Sequence, residues 1–384
     1  GGRDALAILV ASANPLDQYF VSHPAAFFGA PLEHAIIDLE NPYILSGQVL
    51  CAAAEIPLDP DADADLLSPS LPAIISTLSA QSLLGRTRRG WIYSGRARAA
   101  DLVSLDGGSR ETFTVVCGGR VLETLDRAQA FREAHRGAIL LHQGEQYRVE
   151  ELDLESRTVR VTPVDVDYYT RPLRSAEVKV LGVRATRDLP GARLSFGDVE
   201  VTEHYTAYKM IERECVIGVE PLDLPPSRFA TRAFWLEIPA GVCARVSLAG
   251  DLAGALHGME HALIAVMPFH VLCDRWDIGG LSVPCGGTSG DPTVFVYDGY
   301  EGGIGLSEKA FGMCEALLAT AEALVAGCRC TDGCPSCIFS PKCGSDNQPL
   351  DKGATREILA LVAGKNGEKG GPGGGDPAGP TSSP

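Results

Sequence analysis

The sequence predicts an α+β multidomain chain, on three observations. Capped helix-pattern segments occupy the stretch from about 40 to 85, strand-pattern segments dominate from about 100 to 240, and helices alternate with a strand and a cysteine cluster from 241 to 363. The 384 residues, at about 100 to 200 per domain, fit two to four folding units. An apolar share of 45% supplies a core for each. The expected divisions are 1–25, the tail of a domain lying largely outside this sequence; 26–99, a winged-helix-like unit; 100–240, a β-rich connector; 241–363, an α/β zinc-binding domain; and 364–384, a disordered tail.

Taken in order, the apolar run from Ala5 to Ala11 has the pattern of a strand buried on both faces. Such a strand cannot satisfy its backbone groups alone, so the chain reads as cut from a larger protein. Asn41 followed by Pro42 is a cap and a first helical position, and the apolar residues after it predict a helix ending near Glu55. A second helix begins at Leu71; Leu83 to Gly85 then read as a turn into a basic hairpin that ends at Tyr93, a wing behind helices. Strands at 113–117, 138–142, 147–149, 158–161 and 178–181, spaced by Gly-containing turns, suggest a β-barrel or sandwich. Asp251 to His270 is helical by composition, Val294 to Tyr297 a buried strand, Asp298 to Gly305 a glycine-rich turn, and Leu306 to Val325 one amphipathic helix with Leu306, Ala310, Met313, Leu317 and Leu324 on one side. From Gly364 the Gly-rich composition predicts disorder.

Thirty-three Lys and Arg against 49 Asp and Glu give a net charge of −16, which excludes whole-surface nucleic-acid binding and confines any such binding to a local basic stripe. No run of 18 uncharged apolar residues and no signal-peptide pattern occurs, so a soluble chain without a membrane partner is expected. Twelve cysteines in such a chain fit a reducing compartment, where clustered thiols hold metal more often than they form disulfides.

The sharpest chemical signal is Cys328, Cys330, Cys334 and Cys337, spaced C-x-C-x3-C-x2-C, four thiolates that can converge on one tetrahedral Zn²⁺. Cys343 is a fifth candidate, a spare or a replacement for Cys328 or Cys330. His257, Glu260 and His261 match H-x-x-E-H, in which two histidines bind zinc and the glutamate activates water, but no third ligand is evident downstream. The bland alternative is a helix whose histidines face a domain interface. The turn from Asp298 to Gly305 sits where phosphates bind in nucleotide folds, yet it lacks the Walker lysine and the G-x-G-x-x-G order, and Asp298 and Glu301 would repel phosphate. Its glycines serve close packing or positive φ instead. Arg86, Arg88, Arg89, Arg96 and Arg98, interleaved with Trp91 and Tyr93, form the best nucleic-acid stripe: guanidiniums pair with phosphates and aromatic faces stack on bases. The competing reading is a solvated hairpin answering the acidic loop of Asp59, Asp61, Asp63 and Asp65. Tyr168 and Tyr169 are weaker candidates, since paired aromatics in strands are usually core.

In order, Asp17 with Tyr19, Asn41 to Tyr43, His135 to Gly137, Tyr168 to Thr170, Leu256 to His261, Cys273 to Gly280, Asp298 to Gly305, the cysteine cluster and Pro349 to Lys352 resemble the C-terminal half of MrfA/YprA-type superfamily-2 DNA helicases and their fungal relatives, which end in an MZB zinc-binding domain. The resemblance covers about residues 1 to 365. It implies that the first 25 residues end the second RecA-like domain, followed by winged helix, β-rich connector and an MZB domain whose zinc is structural. It implies 3′ to 5′ translocation by the parent protein, a role in DNA repair, single-stranded or forked DNA and the helicase motor domains as partners, and a cytoplasmic location, nucleoid-associated on DNA. The ATP-binding loop and the acidic Mg²⁺ box have no counterpart here, so ATP and Mg²⁺ belong to the motor domains and no catalytic residue is assigned in this chain. Two other classes compete: a metal-dependent hydrolase using His257, Glu260 and His261 with Asp277 or Glu301, and a non-enzymatic nucleic-acid-binding module.

Overall fold

The computed structural model describes residues 6–29, 36, 38, 40–103, 111–213, 215–286 and 288–365; the expected disordered tail lies almost wholly outside them. The apolar run from Leu6 to Ala11 forms no strand: Leu6 and Val10 are each 87% exposed, and no strand lies beside the run to take its N–H and C=O groups among the described residues. The chain then enters α1 (Pro15–Ser22), capped by Asn14, and α2 (Pro24–Gly29). Tyr19 meets Phe269 edge-on at 5.1 Å and Ser336 Oγ donates to the Ala13 carbonyl at 2.8 Å, which ties this segment to the C-terminal unit.

The helix predicted from Asn41 and Pro42 is α3 (Pro42–Glu55), and Asn41 Oδ1 accepts from the Tyr43 and Ile44 amides at 2.9 and 3.2 Å. It packs with α4 (Ala64–Leu67), α5 (Leu71–Ala80) and the antiparallel hairpin of β1 (Leu84–Thr87) and β2 (Gly90–Tyr93). Val49, Leu71, Ile75, Leu78 and Leu84 are its buried centre. Gly90, at φ +132°, lies where a Cβ would meet the Leu58 carbonyl oxygen at 2.6 Å, so the wing crosses there only without a side chain.

The next unit consists of β3 (Thr112–Cys117), β4 (Arg120–Asp126), α6 (Arg127–Glu133), β5 (Ile139–His142), β6 (Glu145–Asp153) and β7 (Thr158–Val164). Its strand order β4-β3-β7-β6-β5 is an open sheet, not the closed barrel or two-sheet sandwich the strand spacing suggested. Ala130 and Ala134, from α6 and its C-terminal cap, cover Phe113, Val115, Val149 and Val159, so one face is buried without a second sheet.

β8 (Tyr169–Leu189) and β9 (Ala192–Glu212) form a long antiparallel ribbon, joined by β10 (Cys215–Pro221) and β11 (Ser227–Glu237). After α7 (Ala240–Ala249) and α8 (Leu252–Val266), β12 (Ile278–Val283) and β13 (Thr293–Asp298) complete a six-stranded sheet that takes strands from both sides of residue 240. Alternation along the strands sends Leu194, Phe234, Leu236, Val294 and Val296 to one face. There they meet α8, α9 (Leu306–Gly312), α10 (Cys314–Gly327) and α11 (Lys352–Val362) in the largest core. Val199, Val201, Trp235 and Phe295 cluster separately on the other face.

The single helix expected from Leu306 to Val325 is two helices bent by 86°. Arg187 Nη2 donates to the Phe311 carbonyl at 2.8 Å and pairs with Glu315, and Gly312 supplies a weak helix former at the bend. Leu252–Phe269 is long and apolar enough to cross a membrane by length and composition, but 72% of it is buried within the protein as its central helix.

Candidate metal centre and nucleic-acid interface

The loop that follows α10 folds Cys328, Cys330, Cys334 and Cys337 into one cluster. Adjacent sulfurs stand 3.6 Å (328–330), 3.5 Å (328–334), 3.5 Å (330–337) and 3.7 Å (334–337) apart. Four thiolates about 2.3 Å from a tetrahedral Zn²⁺ span edges of about 3.8 Å, so the cluster has the size and the soft donor set of a closed zinc site. Gly333, at φ +117°, makes the knuckle possible: a Cβ there would meet Phe339 and Ile338 at 2.6 and 2.8 Å. Cys337 and Ile338 are fully buried in the main core, so the metal loop and the α8–α11 helices are one packed unit. Four protein thiolates leave no open position for water, and a metal here organises structure.

Sequence reasoning missed Lys352, at the start of α11. Its ammonium donates to Cys330 Sγ at 3.2 Å, to the Cys328 carbonyl at 2.7 Å and to the Cys330 carbonyl. Burial raises the Cys330 thiol, but hydrogen bonds from Lys352 and the neighbouring thiols outweigh it and bring the thiol down to about 7. Zn²⁺ with four thiolates carries a net charge of −2, and Lys352 is the cation that offsets it. Lys352→Met is therefore expected to weaken zinc affinity about 10- to 100-fold, the usual cost of an outer-shell partner, in competition titrations against a chelator.

Cys343 does not join this cluster. It stands with His257 and His261, whose ring nitrogens and the Cys343 sulfur lie within 4.8 Å of one another. The two histidines share one face of α8, ring centres 4.3 Å apart, as i and i+4 positions must. Glu260 points elsewhere: it is buried against Gly280, where a Cβ would meet its Oε1 at 2.9 Å, and it is hydrogen-bonded by Ser282. Burial pushes its carboxyl up, with His261 and His257 pulling it partway back. Asp277 accepts from Tyr300 Oη at 2.6 Å and caps the turn after Asp274, while Glu301 lies in the glycine-rich turn. Among the described residues neither gathers with the histidines.

The glycine-rich turn proves to be a joint. The Asp298 carboxylate, fully buried, accepts from the amides of Ile304 (2.7 Å), Gly305 (2.9 Å) and Ser307 (2.7 Å) and from Ser307 Oγ (2.5 Å), capping α9. Gly302 and Gly303, at φ +80° and +78°, present carbonyl-rich backbone to the winged helix. Asn41 Nδ2 donates to the Glu301 carbonyl at 3.2 Å and to the Gly303 carbonyl. Any Cβ on Gly302 would strike Asn41 and Tyr43 within 2.9 Å. Beside it, Arg232 of β11 pairs with Asp38 at 2.5 Å. One residue, Asn41, thus caps α3 and fastens the winged helix to the zinc-bearing unit.

On the wing, Arg86, Arg88 and Arg89 are exposed, as are Arg96 and Arg98 in the segment that follows β2, and none of the five pairs with a carboxylate among the described residues. The acidic loop instead binds itself: the Asp59 carboxylate accepts from the Asp61 and Ala62 amides at 2.9 and 3.0 Å, which hold it below the ordinary range, and Asp63 accepts from the Asp59 amide. Trp91 is half-buried against the small core, with the Arg86 guanidinium 5.9 Å above its ring, and Tyr93 Oη donates to the Ala97 carbonyl. Tyr168 Oη accepts from Arg148 at 3.1 Å, a connector contact.

Residues 37–104 match the winged-helix domain family of the ATP-dependent helicase HRQ1, and residues 259–338 match the MrfA Zn-binding domain family, MZB. The chain is 35% identical over 343 residues to the uncharacterized ATP-dependent helicase YprA of Bacillus subtilis, spanning 87% of this chain and 45% of that protein. It is 25% identical over 391 residues to the ATP-dependent helicase HRQ1 of Saccharomyces cerevisiae, spanning 94% of this chain and 36% of the relative. The chain thus spans less than half the length of these relatives. A 107-residue match at 38% identity links 27% of the chain to 96% of the uncharacterized protein MJ1572.1 of Methanocaldococcus jannaschii. Among solved structures, the DUF1998 helicase MrfA is similar with a TM-score of 0.59 at 30% identity over 92% of this chain and 48% of that one. MrfA bound to DNA gives 0.50 at 32% identity over 90% and 46%.

Proposed function

We propose, from the premise that this chain is the C-terminal region of an MrfA/YprA-type superfamily-2 helicase, with its winged-helix unit and its MZB zinc-binding domain, that it serves as the DNA-engaging accessory half of an ATP-dependent 3′ to 5′ DNA helicase acting in repair. The observation that carries this reading is the basic stripe: five exposed arginines without carboxylate partners among the described residues, three on the wing and two just after it, on a winged helix that Asn41 fastens to the zinc-bearing unit. In this reading Cys328, Cys330, Cys334 and Cys337 hold a structural Zn²⁺, and the exposed run from Leu6 finds its sheet in the second RecA-like domain. ATP and Mg²⁺ act in the motor domains.

The ligand is single-stranded or forked DNA, gripped by Arg86, Arg88, Arg89, Arg96 and Arg98. With a net charge of −16 the chain repels a polyanion at long range, so the grip acts within a Debye length of about 8 Å. Trp91 is committed to the core and to Arg86, which makes phosphate contact the main term and stacking a small one. Charge reversal at Arg86, Arg88 and Arg89 together is expected to lower single-stranded DNA affinity about tenfold or more. Each lost phosphate contact should also flatten the slope of log affinity against log salt by about 0.7. Equal affinity and slope in the triple variant, with unchanged thermal stability, would move the contacts away from the wing.

A further inference from the structure

Both histidines of the second cluster have one ring nitrogen committed. His257 Nδ1 lies 2.8 Å from the Pro349 carbonyl and His261 Nδ1 2.7 Å from the Ile338 carbonyl. A carbonyl only accepts, so each Nδ1 carries the proton and donates, and in the neutral ring Nε2 is left as the lone-pair nitrogen. His257 Nε2 lies 3.4 Å from Cys343 Sγ, and a ring nitrogen of His261 lies within 4.8 Å of both. A neutral thiol has one proton and can satisfy only one of two such acceptors. The sulfur is itself aimed by the loop: the Asn347 amide donates to it at 3.2 Å, Ser345 Oγ lies 3.3 Å away, and Asn347 Oδ1 accepts from the Ser340 amide at 2.7 Å.

We infer that His257 Nε2, His261 Nε2 and Cys343 Sγ form a second divalent-metal site, with donors that suit Zn²⁺, distinct from the four-cysteine site. A zinc ion at about 2.0 to 2.1 Å from nitrogen and 2.3 Å from sulfur places tetrahedral ligands about 3.5 Å apart, the separation found between Cys343 and His257. It satisfies both lone pairs and the thiolate at once. Carbonyl acceptors on the outer nitrogens are the arrangement that fixes tautomer and ring direction in histidine metal sites. One thiolate leaves a net charge of +1, within electrostatic reach of the buried Glu260 carboxyl on the same helix. Three protein ligands leave the fourth position to water or to an anionic group. The MZB match ends at residue 338 and begins at 259, so two of these three residues fall outside it. The sites share a strut: the carbonyl that orients His261 belongs to Ile338, next to Cys337.

The test is a Co²⁺ titration of the metal-free full chain, followed by Zn²⁺ displacement and elemental analysis. Two equivalents are expected, one with the strong charge-transfer absorption of four thiolates and one with the weaker band of a single thiolate. Cys343→Ala and His257→Gln should each remove only the second band and one equivalent of Zn²⁺, leaving the four-thiolate band in place. Saturation of the unaltered chain at one equivalent with the four-thiolate spectrum would overturn the inference, whatever the variants do. So would a second equivalent that survives in Cys343→Ala, or rapid alkylation of Cys343 in the Zn²⁺-replete chain, which would mark a free thiolate paired with imidazolium. Failure of the four-cysteine reading would show separately, as absence of the four-thiolate band from the unaltered chain.

Discussion

A Cys334→Ser, Cys337→Ser double variant is expected to lose the cooperative unfolding transition of the C-terminal unit, because the metal is part of that unit's core. Structural zinc contributes about 10 to 16 kcal/mol of apparent binding free energy in zinc-dependent peptides, against a total stability of about 5 to 15 kcal/mol for a domain. The packing here makes that coupling direct. Cys337 and Ile338 are buried among the residues that hold α8, α10 and α11, and Lys352 on α11 donates to the metal loop itself. Without the ion, four thiols and a cation crowd a space sized for a divalent centre. Differential scanning calorimetry with and without a strong chelator checks this: the unaltered chain should lose its C-terminal transition on chelation, and the double variant should lack it from the outset. An unchanged thermogram with full zinc content in the variant would refute the assignment of those two ligands.

The parts of the molecule that were legible in the sequence are those whose physics is local. Asn41 and Pro42 announced α3 because a cap and a pre-set φ act within four residues, and the cysteine spacing announced its cluster because one loop holds all four thiols. What stayed hidden was decided by distant partners. The bend after Gly312 depends on Arg187, which reaches Phe311 from 124 residues earlier. Cys343 read as a spare zinc ligand or a replacement for Cys328 or Cys330 because its neighbours His257 and His261 lie far back in the sequence, in the H-x-x-E-H segment. The open sheet replaced an expected barrel because α6, a short helix between two strands, covers the face a second sheet would have taken. In the turn after β13 the glycines did signal packing and positive φ, but not that the packed partner is the winged helix.

That turn carries the other large expected effect. Asp298→Ala removes an acceptor that satisfies three backbone amides and one hydroxyl, all of them at the start of α9 and at least partly buried. A buried donor left without a partner costs about 1 to 3 kcal/mol, so the variant should lose about 3 to 5 kcal/mol of stability. At about 2 to 4 °C per kcal/mol for a domain of 150 to 250 residues, the Tm should fall by roughly 10 °C. Asp298→Asn keeps one acceptor oxygen and turns the other into a donor facing N–H groups, so it should recover part of the loss and not all of it. The exposed capping carboxylate of Asp274, lost in Asp274→Ala, is the control, with an expected cost of about 1 kcal/mol. The effect should also reach the DNA-facing side, because the carbonyls of Glu301 and Gly303 that hold Asn41 are positioned by the same cap. Hydrogen exchange would show it: amides at the start of α3, Tyr43 and Ile44 first, should exchange faster in Asp298→Ala, while those of the open sheet between 112 and 164 keep their protection. If α3 stays fully protected while the C-terminal unit loosens, the turn caps α9 and nothing more, and the wing is held in place by other contacts such as Arg232 with Asp38.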